Sequence, residues 1–128
     1  MIVGTGVDLV EVERMRRALE RPLTGARLRS RLFTAGETEY CESRGISRYQ
    51  SYAARFAAKE AAMKALGTGW GRRAGWRDFE VLRERGQAPR IALSGKAALL
   101  ARQRNVRVLH LSLTHTSVHA IAYVIAES

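Results

Sequence analysis

Ala54-Arg55-Phe56-Ala57-Ala58-Lys59-Glu60-Ala61-Ala62-Met63-Lys64-Ala65-Leu66-Gly67 forms most of a long helix predicted from about Ser47 to Leu66. Its many alanines favour helix. Tyr49, Tyr52, Phe56, Met63 and Leu66 supply the buried stripe, and Gly67 stands where a left-handed C-terminal cap closes such a helix. Towards the N-terminus, Ile2 to Leu9 reads as a strand whose Gly4 and Gly6 permit close backbone approach. Val10 to Glu20 reads as a helix with Val12, Met15 and Leu19 on one side and Arg14, Arg16, Arg17 and Arg21 on the others, ended by Pro22. Leu28, Leu32 and Phe33 give a short apolar helical stretch. Thr34-Ala35-Gly36-Glu37 then fits a capping box opening a helix that Gly45 ends.

Beyond the long helix, Trp76 to Arg83 alternates as a strand, and Gly86 and Pro89 mark a turn before a second strand, Arg90 to Leu93. Ser94 can cap a helix running to Arg104, with Asn105 past its end. Val106 to His115 and His119 to Ala126 are β-rich runs joined by Thr116-Ser117-Val118 as a hairpin. The order β-α-α-α-β-β-α-β-β predicts an α+β fold, a single compact domain over residues 1–128 with a mainly antiparallel sheet packed on the long central helix.

The apolar fraction of 46% and charged fraction of 27% are those of a soluble globular chain, and no segment is long and apolar enough to span a bilayer. No secretory leader opens the sequence, which predicts a cytoplasmic protein. Cys41 is the only cysteine, so neither an intramolecular disulfide nor a thiolate metal cluster is available. The net charge of +10 is carried mainly by arginine, with Lys59, Lys64 and Lys96 the only lysines. Such a surface attracts polyanions: nucleic acid, a phosphate-rich ligand or an acidic protein.

Two carboxylates stand out. Asp8 lies between Val7 and Leu9 near the end of an apolar strand, where a charge is costly unless paired or bound to a cation. Glu60 adjoins the apolar stripe of the long helix. From spacing alone, the simpler account of Glu60 is an i,i+4 surface pair with Lys64, worth only ~0.3–0.5 kcal/mol. Gly67-Thr68-Gly69-Trp70-Gly71-Arg72-Arg73 exposes backbone amides and two guanidiniums suited to phosphate, yet it follows a helix and so is neither a Walker loop nor a dinucleotide fingerprint. His115 closes a strand and can donate to phosphate, act as a base or satisfy a carbonyl.

Taken in order, several stretches resemble the holo-acyl-carrier-protein synthase family, the short phosphopantetheinyl transferases. They are Gly6-Val7-Asp8-Leu9-Val10-Glu11-Val12-Glu13-Arg14; Arg31-Leu32-Phe33-Thr34 with Glu37; Ala54 to Ala61; Lys64 to Gly69; Trp76 with Asp78-Phe79-Glu80-Val81; and His110-Leu111-Ser112-Leu113-Thr114-His115-Thr116. The chain departs from the pattern at Gln87, where members often carry the glycine found here one step earlier as Gly86, and at Trp70, where an aliphatic residue is usual.

The resemblance implies transfer of 4'-phosphopantetheine from coenzyme A to a serine of an acyl carrier protein, with release of 3',5'-ADP. It implies Mg²⁺ held by Asp8 and Glu60, in keeping with the preference of that ion for one or two carboxylates, waters and phosphate oxygens. Lys64 falls to the pyrophosphate, Arg55 and His115 to the ribose 3'-phosphate, and Gly67, Thr68, Gly69 and Pro89 to the nucleotide slot. Either Glu60 or a metal-held water takes the serine proton. Arg14 matches a basic position that meets the acidic carrier, and Arg16, Arg17 and Arg21 join it by proximity. A homotrimer with shared active sites is implied too. The competing readings are a basic nucleic-acid-binding domain and an inactive relative that still binds coenzyme A or carrier.

Overall fold

The structure, a computed structural model, describes residues 1–68 and 75–128. Among the described residues, five strands and five α-helices follow the order β1 (Ile2–Glu11), α1 (Val12–Glu20), α2 (Thr24–Leu32), α3 (Ala35–Ser43), α4 (Arg48–Leu66), β2 (Phe79–Leu82), β3 (Arg90–Leu93), α5 (Gly95–Gln103), β4 (Val108–His115) and β5 (His119–Glu127). The α+β class holds, with antiparallel pairing throughout, but the strands divide into a three-stranded sheet ordered β1-β5-β4 and a separate β2-β3 ribbon.

The predicted elements differ from the observed ones at their edges. Pairing with β5 carries β1 two residues further, to Glu11, because Val10 and Glu11 face Ala120 and His119. The stretch around Leu28 is a full helix, so four helices precede β2. Trp76–Asp78 forms a 3-10 turn, and the strand expected from Trp76 begins only at Phe79. The Thr34–Glu37 capping box is present: Thr34 Oγ1 accepts from the Glu37 amide and the Glu37 carboxylate accepts from the Thr34 amide. Gly67 adopts φ 71°, and its amide and that of Thr68 return to the carbonyls of Lys64 and Met63, ending α4 in a Schellman turn.

α4 is buried nearly all round, which is why it is built from alanine. One flank packs on Ala122, Val124 and Ala126 of β5, Phe79 and Val81 of β2, and Ala97, Leu100 and Ala101 of α5. The other meets Met15, Leu19, Leu32, Phe33 and Cys41 through Tyr52 and Ala53. Fully burying a ring such as Phe33 contributes roughly 1.5–3 kcal/mol. Strand β1 crosses α4 so closely that a β-carbon at Gly4 would overlap the Ala65 carbonyl, and one at Gly6 the Ala61 carbonyl. Only glycine fits there, and the contact sets the residue two beyond Gly6 beside the helix. Among the described residues no helix is long and apolar enough to cross a membrane.

Candidate active site

Side chains alternate along β1, so Gly4, Gly6, Asp8 and Val10 turn inward. Asp8 therefore faces α4 one step beyond the glycine contact. Lys64 Nζ donates to Asp8 Oδ1 at 3.1 Å and to the Val7 carbonyl at 2.9 Å. The surface pair expected between Glu60 and Lys64 is thus replaced by a helix-to-strand pair, and Glu60 is left facing the cavity. Burial, reinforced by the Asp8 charge and opposed by Lys64, pushes the Glu60 carboxyl above its usual range. Two acids that repel across one cavity wall are the local demand a bound cation would relieve.

Asp8 and Glu60 open onto a cavity of about 550 Å³. Its remaining wall combines Leu9, Val10 and Glu11 of β1, Arg14, Met15 and Ala18 of α1, Leu28, Arg31 and Leu32 of α2, Phe56 of α4, Trp76, and His119 at the start of β5. Phe56 and Trp76 stack with centroids 5.0 Å apart. A second hollow of about 270 Å³ lies between α1 and α2, lined by Ala18, Arg21, Thr24, Arg27, Leu28 and Arg31. The donor set fits Mg²⁺, which takes one or two protein carboxylates and fills its other positions with water and phosphate. Among the described residues no group of three or more His, Cys, Asp and Glu side chains forms a fuller metal cage.

Other expected site residues lie elsewhere. Arg55 is 4% exposed, on the flank of α4 away from Glu60: its guanidinium rests 3.9 Å over the Tyr40 ring and donates to Ser51 Oγ, while Nε is buried without a partner. His115 is exposed at the end of β4, and neither residue lines the Asp8–Glu60 cavity. Gly67 and Thr68 form the turn after α4, and the Arg104 guanidinium donates to the Leu66 carbonyl beside them. Pro89 is half-buried ahead of β3, and Gly86 takes φ 77° in the same connection, which accounts for glycine at that step. Gly69 and Trp70 lie outside the described residues.

Of the arginines on α1 and just beyond it, Arg14 lines the cavity and Arg21 the second hollow, Arg17 is exposed, and Arg16 is held by Glu13 and Glu20 on its own helix. Lys59 points away from Glu60, as helical spacing requires. Burial lowers its ammonium pKa below the ordinary lysine value, with Glu37 opposing the shift. Sequence reasoning had given no role to Arg27, Arg31, Leu28, Trp76 or His119. Arg31 and Trp76 lie within the matched stretches; Leu28 marks only an apolar helical stretch, and Arg27 and His119 carry no signal of their own.

A cavity edged by two acids, an adjacent lysine and a basic helix pair suits a phosphoryl-group transferase. Residues 4–124 match the 4'-phosphopantetheinyl transferase superfamily, and the chain belongs to that family. It is similar to the holo-(acyl-carrier-protein) synthase of Solibacter usitatus (strain Ellin6076), 48% identical over 128 residues that cover both chains in full. Its fold is similar to that of the holo-(acyl-carrier-protein) synthase from Neisseria meningitidis, with a TM-score of 0.88, 26% identity and complete coverage of both chains. The enzyme from Bacillus anthracis str. Ames, solved in complex with CoA (3',5'-ADP), aligns with a TM-score of 0.81 and 32% identity over 100% of this chain and 98% of that one. The family resemblance read from the sequence is borne out, and the nucleic-acid-binding alternative is left without support.

Proposed function

We propose that this chain, as one transferase domain over residues 1–128, moves the 4'-phosphopantetheine arm of coenzyme A onto a serine of an apo-acyl carrier protein and releases 3',5'-ADP. The observation that carries the reading is that Asp8 and Glu60 both line one cavity in a chain of this family. The serine hydroxyl attacks the phosphorus next to the pantetheine arm; a new P–O bond forms as the bond to the 3',5'-ADP oxygen breaks. Asp8 and Glu60 would hold Mg²⁺, which when bound offsets charge on the pyrophosphate and leaving group. Lys64, released from Asp8 towards the phosphates, adds a second positive charge there. The serine proton passes to Glu60 or to a water beside it.

Arg14 and Arg31, on the cavity wall, and Arg17, Arg21 and Arg27 beyond it, form a basic surface around Leu28 and Ala18. This surface suits an acidic carrier protein, steering encounter and leaving the apolar floor to the carrier's own apolar contacts. A trimer with shared sites is supported by the sheet face turned away from α4. There Val7, Leu9, Ile121 and Tyr123 are 53%, 58%, 42% and 43% exposed and adjoin across paired strands. Sharing would also bring the exposed His115, which lies apart from the Asp8–Glu60 cavity, to coenzyme A held by a neighbour. A cytoplasmic location follows from the acidic carrier and coenzyme A as partners.

Incubation with apo-carrier, coenzyme A and Mg²⁺, followed by mass spectrometry of the carrier, tests the proposal. The expected product is carrier heavier by one phosphopantetheine; an unchanged carrier mass across fatty-acid and polyketide carriers would reject it.

A further inference from the structure

Lys59 sits beside Glu60 in sequence but does different work. Its ammonium is fully buried and spends its three protons on three separate segments: the Leu32 carbonyl at 2.8 Å, Glu37 Oε1 at 2.6 Å and the Trp76 carbonyl at 3.1 Å. Glu37, also fully buried, extends the tie. Its Oε1 accepts from the Thr34 amide and its Oε2 from the Val81 amide, each at 2.9 Å. One ion pair therefore joins the end of α2, the start of α3, the turn at Trp76, strand β2 and the middle of α4.

Stability alone does not account for such a pair. Taking two charges out of water is costly, and well-packed apolar residues of similar volume stabilise a core as well or better. What the pair adds is geometry. Two of the three groups held by Lys59 belong to residues that line the cavity: Leu32 of α2, and Trp76, which stacks on Phe56. Phe56 lies one helical turn before Glu60.

We infer that Lys59 is a positioning residue, which through its ammonium fixes the Leu32 and Trp76 walls at the distance from Glu60 that transfer requires. The inference rests on the transferase reading above. Displacement of a reacting group by about 1 Å costs up to roughly a hundredfold in rate, so a loosened wall is read in kcat before it is read in ligand affinity.

The test uses the full-length chain carrying Trp70→Phe, which leaves Trp76 as the sole tryptophan. Lys59→Met alone strands the Glu37 charge and is subject to unfolding, so the decisive variant is Lys59→Met with Glu37→Gln, which removes both charges together. For that folded double variant we expect a red-shifted, more quenchable Trp76 emission, a fall in kcat of about tenfold or more, and a KM for coenzyme A within about twofold of the parent. A folded double variant with parental kcat and emission would overturn the inference, as would a fall in kcat with unchanged Trp76 emission. If the chain with both tryptophans in place transfers nothing, the functional reading fails, while the emission measurement still reports whether Lys59 holds Trp76.

Discussion

Lys64 Nζ lies 3.1 Å from Oδ1 of Asp8, so a helix cation is already paired with the strand carboxylate. Asp8 is largely buried whereas Lys64 is half exposed. The lysine can therefore swing away at the cost of a semi-exposed pair, worth about 0–1 kcal/mol. The carboxylate cannot follow it. Asp8 and Glu60 would hold a divalent ion, and Lys64, once released from Asp8, is then free to turn towards an anionic substrate.

The first prediction concerns those two acids. Asp8→Ala and Glu60→Ala should each lower Mg²⁺-dependent transfer by roughly a hundredfold or more, since a bound metal supplies several kcal/mol of charge stabilisation. Circular dichroism should remain that of the parent, because neither side chain belongs to the apolar core. Parental turnover in either variant would remove the proposed metal site.

Gly6→Ala should act on the same site from a distance. The added methyl meets the Ala61 carbonyl, so β1 must move off α4. Overpacking of this kind costs about 1–3 kcal/mol, and here it also carries Asp8 away from Glu60. A lowered melting temperature together with weakened Mg²⁺ dependence is expected; unchanged melting would mean that strand and helix are not locked by this contact.

The long helix, its glycine cap, the Thr34–Glu37 box and the β4–β5 hairpin were legible because each is encoded within a few neighbouring residues. The wall built from Phe56 and Trp76 was not. It depends on residues 20 positions apart meeting face to face, and Trp76 reads as a strand residue until the turn around Asp78 is seen. Lys59 was legible only as pointing away from Glu60: its partners Leu32, Glu37 and Trp76 are set by tertiary packing. Asp8 was conspicuous as a charge in an apolar strand, but its pairing with Lys64 in place of Glu60 follows from the close approach at Gly6, which spacing along the helix does not report.

Glu60 gives the site a pH dependence of defined sign. Its folded pKa is raised above 4.5 by burial first and by Asp8 second, so the folded chain holds this proton more tightly than the unfolded chain. Below 4.5 the group is protonated in both states and contributes nothing; as pH rises through the folded value, its ionisation destabilises the metal-free protein. Melting of the parent relative to Glu60→Gln should thus decline as pH rises from about 4.5 through the folded-state value, in the absence of metal. Mg²⁺ affinity should rise over the same interval, because the ion competes with the proton. A parent–variant difference in melting that does not change with pH would contradict the assignment.

Arg14 and Arg16 occupy one helix yet should respond differently to charge reversal. Arg14 lines the cavity, whereas Arg16 is held between Glu13 and Glu20. Arg14→Glu should slow carrier association about tenfold at low salt, with the gap closing as salt screens the field and with coenzyme A binding little changed. Stopped-flow association with apo-carrier checks this. Equal rates for the parent and Arg14→Glu at low salt would move the docking surface away from α1.

The sheet face opposite α4 carries the last prediction. Val7 pairs with Tyr123 and Leu9 with Ile121, so four exposed apolar side chains sit together on adjacent strands. A contiguous apolar patch on a strongly charged chain is costly to leave in water and would be covered by neighbouring copies in the proposed trimer. Light scattering of the parent should give a particle three times the 14.3 kDa chain mass. Ile121→Glu places a charge at the centre of that face without touching Asp8 or Glu60, so it should yield folded monomer. Transfer should fall along with assembly if neighbouring subunits share sites, and a monomer as active as the parent would show that each chain completes its own.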